Sequence, residues 1–175
     1  MKNATIAATV AAVCLLFASA FADAPPSSRF SFKVPAGWKD KSGEGRAYFT
    51  LAVDEADQLA FQAKVSAGAT LVTPEFLDKY ASDAQKSVAR ILNDAGELKV
   101  IDKRAVTLGG VTAARFVFEM PPPPEALHPQ PTRQLQYYVP VDDQHAVLTF
   151  SAPLTSYAKF EALFDKTARA TVIRK

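Results

Sequence analysis

Cysteine is nearly missing from this chain of 175 residues: its single thiol, Cys14, lies in an apolar segment at the N-terminus. The rest of the sequence offers no thiolate for a disulfide, a zinc or iron–sulfur ligand, or a covalent nucleophile. Histidine is almost as scarce. His128 and His145 stand alone, outside any H-x-x-H or H-E-x-x-H spacing, so the pattern calls for neither a metal nor a cofactor. An excess of one charge is lacking too. Twenty basic groups face 18 acidic ones with no basic run, which leaves no electrostatic footprint for nucleic acid. Glycine-rich phosphate loops, a G-x-G-x-x-G fingerprint and a G-x-S-x-G nucleophile elbow do not occur.

A long apolar run occurs once. Met1-Lys2-Asn3 is a short positive start, and between Ala4 and Ala22 only Thr5, Thr9 and Ser19 are polar. The run is too short and alanine-rich to span a bilayer, and small residues follow it, which is the layout of a secretory signal peptide. Ala18-Ser19-Ala20 and Ala20-Phe21-Ala22 both fit a cleavage site, and cutting after Ala22 is expected. Cys14 does not make a lipobox, because Val13 stands where Gly, Ala or Ser is required. The expected product has 153 residues, no cysteine, 19 basic and 18 acidic groups, and no membrane span. It is expected in the periplasm or outside the cell, with residues 1–22 as signal, 23–29 as a Pro/Ser linker and 30–175 as a single domain.

Within that domain the apolar period changes along the chain. Phe30, Phe32 and Val34 alternate with polar neighbours up to the Pro35-Ala36-Gly37-Trp38 turn, and strands are expected again over 47–53 and 59–66, the three forming a meander. Thr73-Pro74-Glu75 is a helix start, with a capping hydroxyl, a proline at the first helical position and an acid facing the positive end of the dipole. Phe76, Leu77, Tyr80, Ala81, Ala84, Val88, Ile91 and Leu92 then recur at three and four, and Gly96 is the expected stop. Strands 98–108 and 111–120 meet at Gly109-Gly110, a hairpin turn because both glycines tolerate positive φ. A second hairpin joins 133–139 to 145–151, and Thr155 or Ser156 caps a last helix with Tyr157, Phe160, Phe164 and Ala168 on one stripe. Hairpins rule out a doubly wound parallel sheet. The expected fold class is α/β (α+β): a three-layer α/β/α sandwich, mainly antiparallel, of about six or seven strands with two main helices.

Three stretches carry a family likeness: Val34-Pro35-Ala36-Gly37-Trp38-Lys39, the hairpin strand Gly109-Gly110-Val111-Thr112-Ala113-Ala114-Arg115, and the late strand His145-Ala146-Val147-Leu148-Thr149-Phe150-Ser151-Ala152-Pro153. With the central helix, they make the chain from about residue 30 to 173 resemble the PsbP-like superfamily. That group includes the photosystem II extrinsic protein, a Ran-binding nuclear import factor and exported bacterial proteins of the DcrB kind. The resemblance implies an α/β/α sandwich with a mainly antiparallel sheet. It implies no catalytic residue, because the members are binding or assembly proteins with different partners, and function by analogy of fold is only an association.

Enzyme motifs fail on spacing. Ser156-Tyr157-Ala158-Lys159 matches S-x-x-K and Lys166-Thr167-Ala168 approaches K-T-G, but both fall on the last helix with no S-D-N element between them. Asp54-Glu55-Ala56-Asp57 lacks the calcium-loop spacing and reads as a solvated turn. His145, opening a strand, reads as a polar edge residue.

Proline, by contrast, is abundant in one place. Pro121, Pro122, Pro123, Pro124, Pro129 and Pro131 hold the stretch after Met120 in polyproline II, denying it helix and ladder bonds, so a stiff arm is expected between two strands. Glu125, Leu127 and His128 would form its tip, with Arg133 beneath. The alternative is a mere spacer. Trp38, Tyr48, Tyr137 and Tyr138 are the aromatic candidates for an interface or ligand groove, although Trp38 reads more simply as a core cap, and Tyr137 and Tyr138 must point to opposite faces. The function expected from all this is an exported, non-enzymatic binding or assembly protein of the cell envelope, meeting an envelope protein or a small apolar ligand at the proline rim. A small hydrolase whose site assembles only in three dimensions, or a structural envelope subunit, are the alternatives.

Overall fold

The structure, a computed structural model, describes residues 30–31, 37–40, 47–52, 58–92, 96–122, 130–170 and 172–173. The expected signal and linker, 1–29, lie outside the described residues. In chain order the elements are β1 (Phe30–Ser31), β2 (Lys39–Asp40), β3 (Ala47–Ala52), β4 (Gln58–Ala67), α1 (Pro74–Ile91), β5 (Lys99–Leu108), β6 (Val111–Met120), β7 (Thr132–Val141), β8 (Gln144–Pro153), α2 (Tyr157–Arg169) and β9 (Val172–Ile173).

The fold is α+β, an antiparallel sheet with two helices. Five long strands, β4 to β8, make up most of it, and the full order is β2-β3-β4-β8-β7-β6-β5. The β5–β6 hairpin turns at Gly109 and Gly110, with φ of 58° and 79°, and Leu108 pairs with Val111 across it. The β7–β8 turn is as tight: Val141 pairs with Gln144, and Asp142 takes φ 51°, a conformation that short acidic side chains tolerate.

Period two holds in the central strands, but both faces are buried, from Ala113 to Phe118 on β6 and from Gln134 to Val139 on β7. Ala81, Ala84 and Val88 of α1 pack on Ala114, Phe116, Phe118 and Tyr138. Tyr157, Phe164 and Ala168 of α2 pack on Val117, Leu135, Tyr137 and Phe150, residues of the opposite alternation. Phe116, Phe118, Phe150 and Phe164 are fully buried, and each contributes roughly 1.5–3 kcal/mol by leaving water.

Several expectations are corrected. The strand opening at Phe30 does not join the meander. Phe30 pairs with Ile173 and Ser31 with Val172, so β1 and the unforeseen β9 make a separate ribbon. The meander opens instead at β2, just past the Pro35-Ala36-Gly37-Trp38 turn, with Lys39 paired to Thr50. Thr73 caps α1 as expected, its Oγ1 accepting from the Phe76 N–H at 3.2 Å. The helix stops at the Leu92 cap rather than at Gly96, and the Leu92 N–H makes its last bond, to the Val88 carbonyl at 2.9 Å. Ser156 occupies the N-cap of α2 without capping through its side chain; its Oγ turns back to the Pro153 carbonyl at 3.4 Å.

Candidate functional site

The proline segment leaves the sheet at one strand end and returns at its neighbour. Met120 closes the β6 ladder against Thr132, the first residue of β7, so the ends of 121–131 are a strand spacing apart. Pro123, Pro124, Glu125, Leu127 and His128 lie outside the described residues. The roots of the segment are described. Pro121 and Pro122 are half-buried, and Pro121 lies so close to Gly96 that a Cβ there would stand 2.7 Å from the ring. On the returning side the Pro131 carbonyl accepts from the Leu154 N–H at 2.9 Å. Two residues on, Arg133 donates through Nη2 to Glu119 at 3.0 Å, its partner across the ladder, and its guanidinium carbon stands 5.5 Å from the centre of the Tyr157 ring. The hydrogen bond from Arg133 holds the Glu119 carboxyl below the usual carboxylate range, with Lys99 adding to it against the desolvation that opposes it.

The aromatic candidates do not gather into one groove. Trp38 is buried edge-on to Phe61, ring centres 6.5 Å apart, beside β4. Tyr48 sits on β3 opposite Gln62. Tyr137 faces α2 and donates its hydroxyl to Asp165, while Tyr138 faces α1, lies tilted against Phe76 with ring centres 4.7 Å apart, and accepts from the Thr70 N–H at 2.8 Å. The Tyr137 hydroxyl is pushed up to about 12, by burial first and by Asp165 second.

His145 is not a polar edge residue. Only 6% exposed, it stacks on Tyr138 with ring centres 4.8 Å apart, and Nδ1–H donates to the Gly68 carbonyl at 2.5 Å. The carbonyl can only accept, which sets the tautomer.

Two groups of functional side chains escape a reading of the sequence. Arg115, in the apolar strand β6, is buried and donates to Asp102 and to Glu161, each at 2.6 Å, with Asp165 at 3.7 Å from Nε. Burial works against its charge, but Glu161, Tyr137 and Asp165 outweigh burial and raise its pKa further. A lone arginine among Ala114, Phe116 and Phe118 is the signal that finds it, since a cation there must be paired. The second group is the pair of glutamines on β7, Gln134 and Gln136, both without any exposed surface.

Fold and site together define an α+β domain whose antiparallel sheet is covered by two helices and whose β6–β7 connection is rooted through Pro121, Pro131 and Arg133. Its particular form is the PsbP/Mog1-like fold. The chain is similar to cyanobacterial PsbP (CyanoP) from Synechocystis, at 12% identity and a TM-score of 0.59 over 83% of this chain and 86% of that one. It is similar to LpqN of Mycobacterium tuberculosis, involved in cell envelope biogenesis, at 15% identity and 0.52 over 100% of both chains. It is also similar to the Ran-binding protein Mog1p of Saccharomyces cerevisiae, at 12% and 0.50 over 78% of each. No family model and no curated protein matches the sequence. At these identities the likeness is one of fold.

Proposed function

We propose that this chain is an exported, non-enzymatic binding or assembly domain of the cell envelope, a three-layer α/β/α sandwich that meets an envelope protein, or a small apolar ligand, at the rim where the proline segment is rooted. One observation carries the reading: both roots are fixed, Pro121 against Gly96 and Pro131 and Arg133 through Leu154, Glu119 and Tyr157. A segment held at both ends and stiffened by prolines loses little conformational freedom on docking, so more of its contact energy appears as affinity. The compartment is supported by the N-terminal segment and by LpqN, a protein of the same fold involved in cell envelope biogenesis. No described helix is long and apolar enough to cross a membrane. The non-enzymatic reading rests on how the central ionisable groups are used: Arg115 is spent on Asp102 and Glu161, Tyr137 on Asp165, and Nδ1 of His145 on a carbonyl.

Replacing Pro121 to Pro124 with a Gly/Ser segment, with folding checked by circular dichroism, tests the docking role. Proteins that the unaltered chain captures from envelope extract should be captured much more weakly by the variant; undiminished capture by a folded variant sinks the idea.

A further inference from the structure

Strand β5 closes one side of the sheet, and among the described residues no strand lies beyond it. It contains neither glycine nor proline, and Val100, Ile101, Val106 and Thr107 are β-branched. From Asp102 to Leu108 its ladder to β6 runs without a break, with a bulge before it at Ile101. Alternate residues of a strand turn their N–H and C=O groups away from the ladder they border, so one row of backbone groups on β5 faces outward. Ile101, Lys103, Arg104, Ala105 and Thr107 are exposed, which leaves that row open.

The charges along this edge are unequal. Lys99, Lys103 and Arg104 stand with one acid, Asp102. The Asp102 carboxylate is held by buried Arg115 at 2.6 Å, with Arg104 at 3.5 Å. Glu119 is held by Arg133 at 3.0 Å, with Lys99 at 3.4 Å. Each carboxylate therefore serves two cations, and the edge residue is in both cases the more distant and the more exposed, Arg104 at 60% and Lys99 at 66%. Exposed pairs of this kind add little, so both side chains can turn to another carboxylate at small cost. The acids of the flanking helices are engaged as well, Asp78 with Lys103, Glu161 with Arg115, and Asp165 with Tyr137. Lys99 and Arg104 share a face, because their ladder partners Glu119 and Arg115 stand four residues apart on β6, a span of about 13 Å.

We propose that the outer edge of β5 takes up an extended segment of another protein as a further strand, one carrying two acidic residues four positions apart to meet Lys99 and Arg104. Main-chain bonds supply the affinity, and the two cations select the segment. Ile101, 49% exposed, adds apolar contact at the bulge. The same cations reject a second copy of this chain: two-fold antiparallel pairing about the middle of the open run 101–107 sets Arg104 opposite itself, and pairing about its neighbour does the same to Lys103. The edge lies beyond the docking rim and uses no residue of the proline segment, so the two readings stand or fall separately.

The probe is a synthetic peptide in which valine alternates with threonine and two threonines, four positions apart, are replaced by glutamate. Titrated into the full chain at low ionic strength, it should give saturable NMR shifts and slowed amide exchange centred on β5. The same peptide with lysine for glutamate should bind about tenfold more weakly. The glutamate peptide should lose about as much on a variant carrying both Lys99→Glu and Arg104→Glu, with folding checked by circular dichroism. Two further peptides, N-methylated on one or the other alternate set of residues, separate backbone pairing from charge attraction: the set facing β5 loses binding and the set facing solvent keeps it. Absence of saturable binding, equal binding of the two N-methylated peptides, or undiminished binding of the lysine peptide overturns the proposal. So does a dimer in sedimentation that protects the β5 amides without peptide, since the edge would then belong to a second copy.

Discussion

The imidazole of His145 packs against Tyr138 with Nδ1–H on the Gly68 carbonyl. Burial holds its pKa below the ordinary 6.5, the Gly68 bond works the other way, and the positive charge of Lys64 adds to the lowering. The unfolded chain therefore takes up this proton at higher pH than the folded one. Stability from this residue is full above about pH 6.5 and falls as pH drops from there to the folded value, by at most about 1.4 kcal/mol per pH unit. Glu119 behaves oppositely in origin and lower in range: its carboxyl is depressed from 4.5, so its contribution is lost only under more acidic conditions. Thermal melts at about pH 7.5 and about pH 5.5 should show a loss that His145→Gln removes. An equal loss in that variant would mean the proton is taken up elsewhere. Period two tells which face a strand residue takes, and so it separates Tyr137 from Tyr138. It does not reveal what a buried polar group bonds to. The partners of Arg115 stand 13 and 46 positions away, on β5 and α2, and no local pattern joins them.

Among the elements, those with strong local causes are legible and those made by distant pairing are not. Helix α1 has its cap at Thr73, Pro74 in the first turn and an apolar stripe, and the β5–β6 hairpin has two glycines at the turn. The two-residue strands β1, β2 and β9 contain no complete alternation and exist only because a partner lies alongside. Gly96 shows the same limit. Its place after a helix suggests a stop, whereas the structure uses its missing side chain to seat Pro121. Gly96→Ala would set a Cβ 2.7 and 2.8 Å from a proline ring that cannot swing away, so backbone must move. The expected cost is about 1–3 kcal/mol in urea denaturation. An unchanged midpoint would show that the loop root is not rigidly seated there.

For the molecule as a whole, stability should be distributed by layer. Strands β6, β7 and β8 lie inside the sheet under both helices, while β2 and β5 are its edges and the β1–β9 ribbon stands apart. Native-state hydrogen exchange should find the slowest amides on β6 to β8 and much faster exchange on β2, β1 and β9. Uniform protection across the sheet would contradict this ranking. The global order of strands was not readable in the sequence: hairpins say which neighbours pair, but the union of β4 with β8 joins two halves of the chain that no turn connects.

That union also has a consequence for synthesis. A ribosome delivers the chain from its N-terminus, so β4 and α1 emerge long before residues 144–153 exist to pair with β4. Until then the inner margin of β4 offers up to ten residues of unsatisfied N–H and C=O groups, a template for any other extended chain. A product stalled or cut before β8 keeps that margin open, and the half-made molecule is more adhesive than the finished one. A helper that guarded it would recognise backbone rather than side chains, and its task would end when the last hairpin closed.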